Sequence, residues 1–283
     1  MNRLNIKVGN NVTLSTIIYG SLPVDFILVH GLASNALLWE GVANFLLEQG
    51  YSSVAVDLRG HGLSSKPLTD YSYDRISMDL LQVAKHVVQP DVPAVLLGQS
   101  WGASVVVEFA IRHPEYVESL VLVDGAYSDL KANFGSWEEC LERLRPPDFS
   151  STTLSQARLY MEGAHAKWSK SAIDATLANL EELGDRTIRA RLSLANHLAI
   201  LHELYQFTPR ESIQQINMPV RILVAKTYAT LTPTVRNEID RLRAIPAVEF
   251  DFFNDASHDL HAESPEMVGK IAMDEYEKRR VLD

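Results

Sequence analysis

Short apolar runs alternate with helical patterns through about the first 130 residues, and this alternation narrows the folds open to the chain. Residues 26–30, 53–57 and 120–124 are mainly apolar, as expected of strands that are buried on both faces. Residues 36–49 and 73–88, which lie between these runs, repeat apolar side chains at helical spacing. Strand–helix alternation of this kind predicts a mostly parallel, doubly wound α/β sheet.

The alternation stops near residue 128 and resumes near residue 213. Between these points the pattern is almost entirely helical. We therefore expect an α/β core formed by residues 1–127 and 213–283, with residues 128–212 inserted as a helical cap. A cap of this kind covers the carboxyl edge of the sheet, which is where doubly wound folds bind their ligands.

The most specific motif is the pentapeptide Gly98-Gln99-Ser100-Trp101-Gly102, which follows an apolar strand and opens a helix. A serine on so sharp a turn projects its hydroxyl from the edge of the sheet. Glycines two residues before and after it leave room for the neighbouring strand and helix. The start of the helix also offers free N–H groups to a developing negative charge. The motif predicts that Ser100 is a nucleophile.

The motif and three further segments give the chain its resemblance to serine hydrolases of the α/β-hydrolase fold that carry a helical cap. The segments are His30-Gly31 after the third strand, residues 57–64 (DLRGHGLS) after the fourth, and residues 258–266 (HDLHAESPE) near the end. The resemblance covers nearly the whole core, whereas the cap shows no specific match. It implies the α/β-hydrolase fold, with the catalytic groups at one edge of the sheet.

The resemblance also implies a base and an oxyanion hole. His258, after the last predicted strand, stands where the family places its general base. The backbone N–H groups of Leu32 and Trp101 stand where the family binds the tetrahedral oxygen. His261 is the rival base, although the family uses its position to anchor the loop. A metal bound between His258 and His261 lacks a third ligand, so we expect neither a metal nor a cofactor.

The third member of the triad departs from the usual pattern. Most relatives carry an aspartate after the strand at residues 219–225, but the following residues 226–233 (KTYATLTP) contain no carboxylate. Some relatives, including zearalenone-lactonase-like enzymes, place the acid after the preceding strand, where this chain has Asp124. We expect Asp124 to orient His258, although many relatives keep a structural aspartate at that position. Glu238 and Asp240, on the next predicted helix, are the alternatives.

The predicted cap is rich in aromatic side chains, which either line a substrate pocket or pack the cap helices together. The candidates for substrate binding are Phe134, Trp137, Tyr160, Trp168 and Tyr205. Together they favour a substrate with a hydrophobic or aromatic group over a sugar.

These residues predict a hydrolase that cleaves a carboxylic ester or lactone through an acyl-enzyme on Ser100. Two alternatives use the same serine: a proline-iminopeptidase-like enzyme and a carbon–carbon bond hydrolase. A third is a small-molecule binder that retains the triad but turns over little substrate. Rapid turnover of model esters separates the enzymes from the binder.

Composition bears mainly on partners. The formal net charge of −10 comes without a basic patch, which disfavours nucleic acid. No apolar run reaches the ~20 residues of a membrane span, and the N-terminal residues lack the pattern of a secretory signal. Cys140 is the single cysteine, so no internal disulfide forms. We expect a cytoplasmic monomer or homodimer that acts on a small-molecule substrate.

Overall fold

The computed structural model describes residues 2–9, 11–89, 91–254 and 256–280, with the backbone alone for residues 279 and 280. Within these residues the main feature is an eight-stranded sheet. None of the helices described has the length and apolar character of a membrane span. The strands are β1 (Asn2–Gly9), β2 (Val12–Tyr19), β3 (Phe26–Val29), β4 (Ser53–Val56), β5 (Ala94–Gln99), β6 (Val117–Val123), β7 (Leu180–Glu182), β8 (Ile188–Ala190), β9 (Val220–Val224) and β10 (Val248–Phe252). The α-helices are α1 (Glu40–Glu48), α2 (Tyr73–Val87), α3 (Trp101–Arg112), α4 (Leu130–Phe134), α5 (Trp137–Leu144), α6 (Leu154–Ala164), α7 (Lys170–Leu177), α8 (Leu194–Gln206), α9 (Pro209–Ile213), α10 (Pro233–Arg243), α11 (Leu260–Glu263) and α12 (Pro265–Arg280).

The strands of the main sheet follow the order β1-β2-β4-β3-β5-β6-β9-β10. Strand β2 pairs antiparallel with β1 and β4, and the remaining pairs are parallel. The predicted mostly parallel, doubly wound sheet is therefore confirmed. Because parallel strands share one direction, the loops after β3, β5, β6 and β9 emerge at the same edge.

Alternating residues of the central strands supply two separate cores. Ile27 and Val29 pack in the core on the side of α2 and α3, whereas Phe26 and Leu28 pack with α1 and α12 on the other face. All four side chains are fully buried. Because successive residues point to opposite faces and both faces are covered, most residues of these strands are apolar. The central strands therefore appear in the sequence as nearly continuous apolar runs.

The segment predicted to be almost entirely helical, residues 128–212, contains helices α4 to α8 and also a short hairpin. Strands β7 and β8 pair antiparallel on either side of Gly184 and Asp185. An Asx turn closes the hairpin, because the Asp185 carboxylate accepts hydrogen bonds from the N–H and hydroxyl groups of Thr187. Each strand has only three residues, too few for a two-residue period to be visible in the sequence.

Adjacent leucines on α1 test the division between core and surface. Leu46 is fully buried, whereas Leu47 is 40 % exposed. We expect Leu46→Ala to lower the free energy of unfolding by about 2–5 kcal/mol, because it leaves a cavity between the sheet and the helices. Leu47→Ala is the matched control on the same helix and is expected to cost far less. Urea unfolding followed by circular dichroism measures both; equal losses would contradict this packing.

Candidate active site

Ser100 is the single residue between the end of β5 and the start of α3. Its backbone adopts φ 53° and ψ −118°, a conformation that costs a residue with a side chain on the order of 1–3 kcal/mol. Two backbone hydrogen bonds hold it: the Ser100 N–H donates to the Val123 carbonyl at 2.9 Å, and the Ser100 carbonyl accepts from the Ala103 N–H at 3.0 Å. The strained turn leaves the side chain of Ser100 partly exposed at the edge of the sheet.

Two glycines make this turn possible by close approach of backbone to backbone. A Cβ atom at Gly98 would lie 2.3 Å from the carbonyl oxygen of Gly102. One at Gly102 would lie 2.5 Å from the carbonyl oxygens of Val29 and His30. No larger residue fits at either position, as the pentapeptide predicted.

Two neighbouring loops are packed against Ser100 in the same way. A Cβ atom at Gly31 would lie 3.2 Å from the Cβ atom of Ser100, and one at Gly125 would lie 2.3 Å from its carbonyl oxygen. The loops that follow β3 and β6 therefore meet at the turn after β5. This contact brings the surroundings of Leu32 and Asp124 to the serine.

Asp124 and His258 form a hydrogen-bonded pair at this edge. The imidazole Nδ1 lies 2.6 Å from carboxylate Oδ2 of Asp124. The other oxygen, Oδ1, accepts hydrogen bonds from the Ala225 N–H at 2.9 Å and from the Tyr127 hydroxyl at 2.7 Å. The carboxylate is thus held by three donors, one from each of three loops.

The pair shifts the proton affinities of both partners. Burial alone would raise the pKa of Asp124, but the hydrogen bond and charge of His258, with those from Ala225 and Tyr127, hold it below its ordinary value. Loss of hydration would lower the pKa of His258, but the hydrogen bond and charge of Asp124 raise it above that of a free histidine. His258 is therefore a strengthened base beside an ionised carboxylate.

The imidazole of His258 is open to solvent, with 58 % of the side chain exposed. A hydrogen bond of 3.3 Å from Gln99 Nε2 to the His258 carbonyl ties its loop to the residue before Ser100. Among the described residues, no hydrogen bond joins the Ser100 hydroxyl to the imidazole. Such bonds are often long in the absence of substrate. The catalytic roles of both residues stay predictions.

The alternative acids lie elsewhere. The carboxylate of Asp240 accepts a hydrogen bond of 2.6 Å from the Tyr228 hydroxyl, and Glu238 makes an ion pair along its own helix, α10. In the described part of the chain, neither carboxylate hydrogen-bonds to His258, whereas Asp124 lies within hydrogen-bond distance of its Nδ1. The role of Asp124 as the orienting acid stays a prediction.

His261 does not share the position of His258. It is fully buried against Trp39, with ring centroids 4.4 Å apart, and burial lowers its pKa to about 3. It is therefore a neutral core residue at ordinary pH. In the described ranges, no group of three or more His, Cys, Asp or Glu side chains is arranged to hold a metal ion.

Two buried histidines brace the loop after β3. In the tautomers that fit their partners, His30 donates from Nδ1 to the Gly31 carbonyl at 2.7 Å and accepts from the Leu58 N–H at 3.0 Å. His61 accepts from the Ala33 N–H at 3.1 Å, and its ring stacks on Trp101. Burial lowers the pKa of both rings, so each keeps a neutral form that donates at one nitrogen and accepts at the other.

The two predicted oxyanion donors lie on these braced segments. Leu32 lies between Gly31, whose carbonyl binds His30, and Ala33, whose N–H binds His61. Trp101 begins α3 directly after Ser100. Within the described chain, neither backbone N–H donates to another protein group, so both are available to a ligand. Their role in binding an oxyanion stays a prediction.

Three of the predicted cap aromatics lie in one apolar cluster that reaches Leu32, a predicted oxyanion donor. Trp137 packs edge-on against Tyr205 with ring centroids 5.5 Å apart. Phe134 and Leu32 both pack against the same cluster. Its further members are Cys140, Leu201 and Leu130. Residues after β6 thus place apolar side chains next to Leu32, which is part of the predicted site.

Tyr160 and Trp168 are placed differently. The side chain of Tyr160 is 73 % exposed on α6, so its prediction as a pocket residue is corrected: it lies on the exposed side of a helix whose buried residue is Ala157. Trp168 is buried in a separate cluster with α7, and its ring centroid lies 4.0 Å from that of His165. The same cluster contains Leu38 and Ala262, so Trp168 packs the predicted cap against the core.

Sequence reasoning missed the side chains that support the site. Glu263 accepts a hydrogen bond of 2.8 Å from the Ser257 N–H, which fixes the residue before His258. Its other oxygen lies 3.5 Å from Nζ of Lys167, so the same carboxylate links this loop to the predicted cap. Tyr127 was missed as well. Of these two residues, only Glu263 could have been found from the sequence, because it lies in residues 258–266, a segment that resembles the family.

Known proteins resemble the chain over different lengths. It is 31 % identical to the sn-1-specific diacylglycerol lipase ABHD11 of Danio rerio over 257 residues, which are 87 % of this chain and 75 % of the relative. It is 39 % identical to an uncharacterized protein of Mycobacterium tuberculosis, but that match spans only 30 % of the relative's length. The crystal structure of E-2-(acetamidomethylene)succinate hydrolase superposes with a TM-score of 0.76, covering 96 % of this chain and 98 % of that one at 23 % identity. At that identity the likeness shows the fold.

Family membership follows from a match across most of the chain. A sequence model of the alpha/beta hydrolase fold family matches residues 26–265, from the first parallel strand to the start of the last helix. The matched region contains the strained serine and the His–Asp pair described above. The protein belongs to the alpha/beta hydrolase fold family.

Proposed function

We propose that the protein is a serine hydrolase that cleaves a carboxylic ester or a lactone carrying a hydrophobic or aromatic group. Ser100 attacks the carbonyl carbon and forms an acyl-enzyme. His258 acts as general base and acid, and Asp124 orients its ring. The backbone N–H groups of Leu32 and Trp101 stabilise the oxyanion.

One observation carries this proposal. A histidine hydrogen-bonded to an ionised aspartate lies at the sheet edge where a serine is held at φ 53°. The bond at Nδ1 leaves Nε2 without a proton in the neutral ring, so that nitrogen is free to accept one. A strained serine beside such an imidazole is the arrangement that acyl transfer requires.

The proposed reaction has two halves. His258 takes the proton of the Ser100 hydroxyl as Oγ bonds to the carbonyl carbon, and returns it to the leaving alcohol as the ester bond breaks. A water molecule then gives its proton to His258 and attacks the acyl-enzyme. The acid product leaves as the proton returns to Ser100. For a lactone, the acid and the alcohol are parts of the same molecule, so the product is a single hydroxy acid.

The surroundings support an apolar group on the substrate. Leu32, beside the proposed oxyanion hole, packs against the cluster that contains Phe134, Trp137 and Tyr205. Burial of a substrate side chain there contributes about 25 cal/mol for each Å² of apolar surface removed from water. The Danio rerio relative is named a diacylglycerol lipase, which agrees with ester chemistry.

Turnover of model esters tests the proposal. We expect wild-type protein to hydrolyse p-nitrophenyl esters with aromatic or medium-length acyl groups, and at least one lactone of a supplied panel. Ser100→Ala is expected to lower kcat on the order of 10⁶-fold, because the nucleophile is lost. Release of p-nitrophenol measures the first and pH-stat titration the second.

The matched control is Ser104→Ala, one turn further along α3, where the serine is buried and, among the described residues, its hydroxyl hydrogen-bonds to no residue of the site. It should keep wild-type turnover. Turnover that survives in Ser100→Ala would refute the proposal. One equivalent of p-nitrophenol without further release would identify a binder, and cleavage confined to aminopeptidase or carbon–carbon substrates would redirect the assignment.

The choice of acid is tested separately. We expect Asp124→Asn to lower kcat by about 10⁴-fold, because the amide no longer favours the required tautomer or stabilises the imidazolium. Asp240→Asn is the matched control, since its carboxylate contacts Tyr228 instead. Steady-state kinetics with the same ester measures both. Near-normal turnover in Asp124→Asn, or a comparable loss in Asp240→Asn, would contradict the assignment.

A further inference from the structure

Tyr127 occupies an unusual place beside the proposed acid. Its hydroxyl donates to Oδ1 of Asp124 at 2.7 Å, while His258 uses Oδ2. The Ala225 N–H donates to the same Oδ1 at 2.9 Å. The phenol and the amide therefore occupy one carboxylate oxygen and leave the other to the imidazole.

The backbone between Asp124 and Tyr127 is strained. Asp124 and Ala126 both have positive φ, at 46° and 56°, although neither is glycine. Each such residue costs on the order of 1 kcal/mol or more. The turn reverses the chain within three residues and returns Tyr127 to Asp124. The ring itself is buried in the core on the side of α3, so its hydroxyl has little freedom to move.

We propose that Tyr127 is a positioning residue for His258, acting through Asp124. This inference rests on the proposed function. The phenol fixes which carboxylate oxygen faces the ring. Its O–H also stabilises the negative charge of Asp124 by hydrogen bonding. Asp124 therefore raises the pKa of His258 by less than it would without the phenol.

The sign of the effect follows from the hydrogen bonds. Removing the phenol O–H leaves more negative charge on Asp124, which stabilises the imidazolium and raises the pKa of His258. The other charged groups that act on His258 are Asp259, which raises its pKa, and Lys226, which lowers it. Both remain in the variant, so the change comes from the lost hydrogen bond.

The test is the titration of His258 in Tyr127→Phe. Nitrogen-15 NMR of the imidazole in the resting protein, assigned with His258→Ala, is expected to show a rise in pKa of about 0.5–1 unit. The acidic limb of kcat/KM for the model ester should move up by the same amount. Activity on the high-pH plateau should stay within a few fold of wild type.

Tyr276→Phe is the matched control. Its buried hydroxyl also donates to an aspartate, Asp25, but at the start of β3 and therefore at the opposite edge of the sheet. It loses a bond of the same chemistry and should leave the titration of His258 unchanged. A rise of equal size in Tyr276→Phe would overturn the inference.

A second replacement covers the case in which Tyr127→Phe fails to fold. Tyr127 replaced by 3-fluorotyrosine keeps its shape but donates more strongly, so the pKa of His258 should fall. An unchanged titration in the variant that folds, or a loss of activity equal at every pH, would overturn the inference. Because the NMR titration needs no turnover, an inactive wild type would sink the proposed function without deciding the role of Tyr127.

Discussion

The hydrogen bond between His258 and Asp124 joins parts of the chain that are 134 residues apart, and the proposed chemistry depends on it. It forms because β6 and β9 are parallel neighbours and the last loop folds back over their carboxyl ends. A hydrogen bond to a charged group contributes about 1.5–3 kcal/mol, enough to hold a ring that is largely exposed. In the proposed mechanism this bond orients the base that serves Ser100.

The family resemblance implies an acid after β9, whereas the proposed acid, Asp124, follows β6. The loop after β9 has no carboxylate in residues 226–233. The Ala225 N–H at the start of this loop donates to Asp124, so the loop still contacts the proposed acid. Asp124 can reach His258 from β6 because adjacent parallel strands end at the same edge of the sheet.

The extent to which the sequence predicts the structure depends on whether each feature follows from a local residue pattern. The strands, most helices and the Ser100 turn follow from local patterns, namely two-residue and 3.6-residue periods and a glycine-flanked serine. The resemblance to the family also pointed to Asp124, because the usual loop holds no carboxylate. The sequence did not identify Tyr127 or Gln99 as supports of the site, because no residue pattern shows that these side chains hydrogen-bond to Asp124 and to the His258 loop. The exposed position of Tyr160 was missed because aromatic content does not show which face of a helix is buried.

The most direct test of the account is covalent labelling with a fluorophosphonate, followed by peptide mass spectrometry. We expect one adduct, on the peptide that contains Ser100. We also expect His258→Ala to be labelled at least 10²-fold more slowly, since a general base contributes about 10²–10⁴-fold. A wild-type protein that stays unlabelled at Ser100, or a His258→Ala variant that labels at the wild-type rate, would contradict it.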